Sequence, residues 1–168
     1  MVITIHLTIP PIIHMLYSSS YLVQTKGCCN MGWENPSKET LKEILENAKT
    51  IAVVGLSNNE EKTAYQISKI LQNEGYRIIP VNPTVDEVLG EKAYPTLADV
   101  PEKIDIINVF RRPEHLPDVA KDAAKTDCRV FWAQQGIINE EAYHYLKERD
   151  FTVVMDLCIK VVHAVLVK

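Results

Sequence analysis

Five short hydrophobic runs lie between residues 50 and 156, and segments with helical periodicity separate them. The first run, TIAVVG at 50–55, is continuously apolar in its interior. Such a run predicts a strand that is covered on both faces, as strands of a parallel sheet are. Four more strands are predicted by the runs at 76–83, 104–110, 128–134 and 151–156.

Helical patterns fill the intervals between these strands. Ser37 is placed to cap a helix just ahead of the first strand. Residues 64–71 carry apolar side chains at i, i+3 and i+7, and Gly75 suits the left-handed position at that helix end. Further helices are predicted from Pro113, from near Asn139, and over the C-terminal CIKVVHAVLV. Strict alternation predicts an α/β fold with a five-stranded parallel sheet and helices on both faces.

Composition and charge narrow the class of partner. The chain has 168 residues, of which 46% are hydrophobic and 24% charged, and its net charge is −4. This length suits one domain, and the acidic balance argues against a nucleic-acid or anionic-membrane surface. The four cysteines form no CxxC pair and no zinc or disulfide pattern. We therefore expect a cytoplasmic protein without a metal site.

Residues 1–30 differ from the rest of the chain. They contain no acidic residue, and Lys26 is their only lysine or arginine. A secretory signal needs positive charge ahead of its apolar run, and Pro10 and Pro11 interrupt this run well short of a membrane span. We expect 1–30 to be a disordered, dispensable or mis-assigned extension before a domain at 31–168. The alternative is a weakly ordered N-terminal arm.

Ligands of parallel sheets bind beyond the carboxyl ends of the strands, where the strand order reverses. In this chain that position corresponds to the segments 55–62, 82–83, 110–112 and 134–139. The first segment joins a buried strand to an amphipathic helix, a location where backbone N–H groups and the helix dipole favour an anion. The sequence therefore predicts a phosphate site after the first strand.

The turn after the first strand fits neither common phosphate-binding fingerprint. A dinucleotide motif starting at Gly55 needs glycine at the positions of Ser57 and Glu60. A P-loop ending in Lys62 and Thr63 needs glycine at 56 and 61, where the chain has leucine and glutamate. Ordinary NAD binding and P-loop chemistry are therefore disfavoured.

The remaining features still suit a nucleotide. Gly55 supplies the turn, the Ser57 hydroxyl can bond to an anion, and Lys62 can add a mobile positive charge. The second strand ends at Asn82 instead of the acid that holds an NAD ribose. A carboxylate there would repel a ribose phosphate, so asparagine is better suited to a nucleotide that carries one. Coenzyme A and NADP both qualify.

Several segments together resemble a known family. IAVVGLSNNEEKTAY, GYRIIPVNPTVDEVLGEKAYPTLADVP, IINVFRRPEHLPDV, VFWAQQGIINEEA and VVMDLCIKV resemble the stand-alone CoA-binding domain family, over about residues 35–163. That family is similar to the CoA-binding domain of the succinyl-CoA synthetase alpha subunit. The resemblance implies a Rossmann-like domain that binds coenzyme A or an acyl-CoA. Carried over by position, it implies the following ligand-binding residues: Gly55, Ser57, Lys62, Val81, Asn82, Pro83, Phe110, Arg111 and Arg112.

The sequence contains no recognisable catalytic arrangement. Cys158 and His163 lie five residues apart, but we expect a buried thiol and an exposed imidazole there, not a nucleophile and its base. A CoA-binding module without catalysis is the first hypothesis. The alternatives are an NADP-dependent oxidoreductase with a degenerate glycine fingerprint and a non-catalytic interaction subunit with a vestigial cleft. A homodimer or another protein partner remains open, as does pairing of the two arginines with Glu114 or Asp118.

Overall fold

The structure is a computed structural model, and it describes residues 32–168. The prediction for residues 1–30 lies outside the described residues. None of the described helices is long and apolar enough to cross a membrane. The helices are α1 (Lys38–Asn47), α2 (Thr63–Asn73), α3 (Leu116–Ala123), α4 (Glu140–Lys147) and α5 (Ile159–Leu166). The strands are β1 (Thr50–Val54), β2 (Arg77–Val81), β3 (Glu87–Val88), β4 (Glu91–Lys92), β5 (Ile106–Val109), β6 (Val130–Ala133) and β7 (Thr152–Val154).

Five strands form one sheet in the order β2-β1-β5-β6-β7, and every pair in it is parallel. This confirms the predicted Rossmann-like α/β fold. Each strand is shorter than its apolar run, because the run continues into the following turn and, in every strand but β1, into the preceding one as well. The antiparallel hairpin of β3 and β4 was not predicted. Its strands have two residues each, too few to produce a periodic pattern.

The sheet separates two hydrophobic cores. Successive side chains of a strand point to opposite faces, so Ala52 and Val54 pack with α3 and α4, whereas Ile51 and Val53 pack with α1, α2 and α5. Trp132 lies in the second core, where its Nε1 donates a hydrogen bond of 2.7 Å to the Leu157 carbonyl. Helices therefore cover both faces of the sheet, as the continuous apolar runs require.

The strand order reverses beside β1. The chain steps from β1 to β2 in one direction through α2, and from β5 to β6 and β7 in the other direction through α3 and α4. Right-handed crossovers then place α2 on one face of the sheet and α3 and α4 on the other. The helices diverge above β1 and β5, so a crevice forms at the carboxyl ends of these two strands.

Helix starts follow the predicted capping chemistry with one correction. The Ser37 hydroxyl accepts the Thr40 N–H at 3.2 Å, which confirms the cap of α1. A helical segment begins at Pro113 as predicted, but its first turn is not α-helical. Pro113 opens a short 3-10 turn, Pro113–His115, and α3 starts at Leu116. Proline at the first position suits either helix type, so the sequence did not distinguish them.

The predicted burial of Cys158 and His163 is wrong. His163 is buried, and its ring meets that of Tyr76 edge to face with centroids 5.5 Å apart. Cys158 is only half-buried. Helix α5 turns His163 toward Tyr76 and exposes Val161 and Val165 instead, so its apolar pattern did not reveal which face is covered.

Candidate functional site

A cleft of about 520 Å³ lies at the point where the strand order reverses. Three segments form it: the turn after β1, the start of α2 and the segment after β5. It brings together five of the predicted ligand-binding residues, namely Gly55, Lys62, Phe110, Arg111 and Arg112, and it is also lined by Thr63, Ala64 and His115. His115 was not predicted. The signal that could have found it is the turn opened by Pro113, which folds the following residues back beside the arginines.

The backbone conformation of Gly55, which lines the cleft, favours glycine at this position. Its φ is +92°, a conformation that residues with a side chain rarely adopt. A Cβ atom at this position would also lie 3.4 Å from the Phe110 carbonyl oxygen and 3.5 Å from Cδ of Arg111. The N–H of Gly55 donates to the Val81 carbonyl at 2.9 Å, which ties the turn to β2. The backbones after β1 and β5 therefore approach each other closely.

Within the described residues, five consecutive backbone N–H groups in the turn after β1 have no acceptor. They belong to residues 56–60. Helix α2 begins directly after this turn, and its N-cap residue, Lys62, makes no side-chain cap bond. The N–H groups of the first helical turn have no partner within a helix either. A negatively charged ligand is the type of partner that such a set of donors favours.

Positive charge surrounds the same cleft. Lys62 and Arg111 are exposed, and neither has a carboxylate within 4 Å among the described residues. Arg112 lies 3.9 Å from Glu114, but both side chains are largely exposed, so this ion pair is weak. Asp118, the other expected partner of the arginines, pairs with Lys121. No acidic residue lines the cleft, although the chain as a whole is acidic.

The remaining predicted residues lie beside this cleft rather than in it. Val81 and Pro83 line a second cleft of about 340 Å³, whose floor includes Val54. Its rim contains carboxylates as well as Lys125, and Arg111 borders both clefts. The Ser57 hydroxyl is enclosed and has no hydrogen-bond partner among residues 32–168. A phosphate contact by this hydroxyl would therefore require its side chain to turn outward.

The side chain of Asn82 is buried and engaged within the protein. Its Nδ2 donates a hydrogen bond of 2.8 Å to the Leu56 carbonyl, and its Oδ1 accepts the Thr84 N–H and hydroxyl at 3.1 and 2.9 Å. The residue is 8% exposed. Asn82 thus links the turn after β1 to the turn after β2, a contact between residues 26 positions apart that the sequence did not reveal.

The permanently charged side chains that line the cleft, among the described residues, are Lys62, Arg111 and Arg112. Among residues 32–168 no group of three or more His, Cys, Asp and Glu side chains is arranged to hold a metal ion. Burial raises the pKa of the Cys128 thiol, so this thiol is a poor nucleophile. Cys128 precedes β6 and lies at the amino ends of the strands, away from the cleft. The cleft thus combines cations with nearby backbone N–H donors, groups that favour a negatively charged partner.

This chain is similar in sequence and in fold to known proteins. The family described as CoA binding domain matches residues 49–164. The uncharacterized protein YneT of Bacillus subtilis is 59% identical over 132 residues, which cover 79% of this chain and 98% of YneT. The solved structure of a hypothetical protein from Pyrococcus horikoshii is similar, with a TM-score of 0.77, 34% identity, and coverage of 79% of this chain and 94% of that one.

A more distant relative is much longer. An ADP-forming acetate–CoA ligase of Methanocaldococcus jannaschii is 34% identical over 77 residues, which cover 46% of this chain but only 11% of the ligase. The similarity to the ligase is therefore confined to a small part of that protein. The match of the family over most of the described residues, together with the close similarity to YneT, shows that this chain belongs to the CoA binding domain family.

Proposed function

We propose that this protein binds coenzyme A or an acyl-CoA as a module without catalytic machinery of its own. One observation carries the proposal. The cleft beside β1 is lined by Lys62, Arg111, Arg112 and His115 and by no carboxylate, and unused N–H groups adjoin it. Coenzyme A carries a pyrophosphate and a ribose 3′-phosphate, so it matches a site with several cations and several backbone donors.

The two clefts suit different parts of coenzyme A. The larger cleft, with Lys62 and the start of α2, suits the pyrophosphate, because charge and N–H donors converge there. The smaller cleft has an apolar floor that includes Val54 and Val81, and Asp118 and Asp122 lie on its rim. Those carboxylates disfavour a phosphate and leave the uncharged adenosine as the better occupant. Arg111 borders both clefts and is placed to neutralise the ribose phosphate between them.

Calorimetric titration of the full chain tests this proposal. The ligands are CoA, acetyl-CoA, NAD and NADP, each at the same ionic strength. We expect CoA and acetyl-CoA to bind and to raise the melting temperature by mass action, and we expect NAD to leave both measurements unchanged. Tighter binding of NADP than of CoA would instead support the oxidoreductase alternative. Absence of binding by all four ligands would support an interaction subunit with a vestigial cleft.

A further inference from the structure

The contacts of Asn82 control one peptide group in the turn after β1. Nδ2 of Asn82 is the sole hydrogen-bond donor to the Leu56 carbonyl within the described residues. Asn82 is itself held in place, because its backbone N–H donates to the Tyr94 carbonyl at 2.8 Å. The N–H groups of residues 56–60 have no acceptor in the described chain, so no bond from them fixes the orientation of this turn. The side chain of Asn82 is therefore the main polar restraint on the peptide between Leu56 and Ser57.

The direction of this restraint follows from the sheet order. The described residues contain no cis peptide bond, so the N–H of Ser57 points opposite to the Leu56 carbonyl. Strand β1 lies between β2 and β5, and Asn82 follows β2 whereas the basic cleft lies between β1 and β5. A carbonyl held toward Asn82 thus turns the next N–H toward the side of the cleft.

We propose that Asn82 is a positioning residue for phosphate binding: it holds the Leu56 carbonyl and thereby aims the Ser57 N–H at the ligand's pyrophosphate. The inference rests on the proposed binding of CoA. It assigns Asn82 a different role from the one suggested by its type alone, which is to avoid repelling a ribose phosphate. Its side chain is buried and acts on the protein backbone, not on the ligand.

The two roles predict different ligand selectivity for Asn82→Asp. If Asn82 only avoids charge repulsion, the variant should lose affinity for CoA and keep its affinity for dephospho-CoA, which lacks the 3′-phosphate. If Asn82 positions the turn, the variant replaces a donor by a carboxylate oxygen facing the Leu56 carbonyl. The turn is then released, and both ligands lose affinity by the same factor because both carry the pyrophosphate.

The experiment titrates the full chain with CoA and dephospho-CoA, using the wild type, Asn82→Asp, Asn82→Leu and Thr84→Val. Asn82→Leu removes the donor without adding charge. We expect both Asn82 variants to bind either ligand about tenfold or more weakly, as loss of a hydrogen bond to a charged group implies. Thr84→Val is the matched control, because it removes the hydroxyl partner of Oδ1 and retains the bond to Leu56. It should change either affinity by less than about threefold.

A second measurement does not depend on the variants folding. In the wild type, the amide resonance of Ser57 should shift on addition of CoA and to a similar extent on addition of dephospho-CoA. Loss of affinity for CoA alone, wild-type binding by both Asn82 variants, or an unperturbed Ser57 amide at saturation would each overturn the positioning role. If the wild type binds neither ligand, the proposed function fails first, so the two failures are distinguishable.

Discussion

The polar groups at the two ends of the parallel strands differ in how they are paired. We call these two sides of the sheet the amino edge and the carboxyl edge, after the strand ends that lie there. At the amino ends of the strands, Arg77 donates two hydrogen bonds of 2.6 Å to Glu102, and Asp105 accepts the N–H groups of Lys49 and Thr50. At the carboxyl ends, the N–H groups of residues 56–60 have no acceptor within the described chain, and the nearby cations are largely unpaired. The first edge satisfies its polar groups within the protein. The second leaves them available to a ligand.

The contrast separates variants that should affect stability from variants that should affect binding. The Arg77–Glu102 ion pair at the amino edge is exposed, so it contributes about 1 kcal/mol or less to the free energy of unfolding. Its loss should leave CoA binding unchanged. Changes at the carboxyl edge should weaken ligand binding by more than they lower stability. The polar groups there make few hydrogen bonds or ion pairs within the protein, so their main contacts are expected to be with the ligand.

The largest effect is expected from Gly55→Ala. A side chain at this left-handed position costs about 1–2 kcal/mol of stability, and its Cβ would contact the Phe110 carbonyl oxygen at 3.4 Å. We expect CoA affinity to fall about 100-fold, because the turn moves and more than one hydrogen bond to the ligand is lost. Thermal melting and calorimetric titration measure the two effects.

Gly75→Ala is the matched control for Gly55→Ala. Gly75 has a φ of +98°, and no atom lies within 4 Å of the position of its Cβ. The variant should therefore lose a similar amount of stability and retain wild-type affinity for CoA. Equal loss of affinity in the two variants would show that the close approach at Gly55 is unimportant for the ligand.

A smaller effect is expected from Lys62→Ala. Removal of this cation from the cleft should weaken CoA binding by about 1–2 kcal/mol at low salt, and by less at high salt because exposed charges are screened over about 10 Å at 0.1 M. Lys103→Ala is the control at the other edge, where Lys103 pairs with Asp105 at 3.1 Å. Its CoA affinity should equal that of the wild type. If Lys62→Ala binds CoA normally at every salt concentration, Lys62 does not neutralise the ligand's phosphates, and Arg111 and Arg112 are the cations left to do so.

At the amino edge, Asp105 should make the stability of the protein depend on pH. Burial opposes ionisation of Asp105, but the Lys49 N–H, the Lys103 ammonium group and the Thr50 N–H outweigh burial and hold the pKa of this carboxyl below its ordinary value. A carboxyl with a lowered folded pKa adds stability above its unfolded pKa of about 4. That contribution is lost as the pH falls through the folded value.

Asp105→Asn should therefore flatten the acid dependence of stability. The amide oxygen can still accept the two N–H groups, but it does not titrate. Between pH 5 and pH 3 the melting temperature of the wild type should fall more steeply than that of the variant, while CoA affinity at pH 7 stays the same. Parallel melting curves would contradict a stabilising role for the ionised carboxyl.

The smallest effect is expected from removing the N-terminal extension. A chain that begins at Met31 should melt within several degrees of the full chain, which corresponds to about 1 kcal/mol for a domain of this size. Its affinity for CoA should also be unchanged, because the cleft is formed by residues between Gly55 and His115. A larger fall in the melting temperature would show that residues 1–30 contribute to the fold.

The sequence by itself determined the features that depend on near neighbours. The apolar run of β1 predicted a strand covered on both faces, Ser37 predicted a helix start, and the single glycine after β1 predicted a turn where a phosphate could bind. Each of these signals is produced by a few consecutive residues, since periodicity, capping and glycine conformation are local properties of the backbone. The alternation of such signals also sufficed for the fold class.

Only the tertiary structure decided which distant residues meet. The sheet order places Asn82 against the Leu56 carbonyl and brings His115 to the cleft that contains Lys62. The packing of α5 buries His163 against Tyr76 and leaves Val165 exposed. These contacts join segments separated by many residues, and their geometry depends on the relative placement of whole strands and helices. A local sequence pattern does not determine that placement, because the same amphipathic helix or buried strand can pack against several different elements.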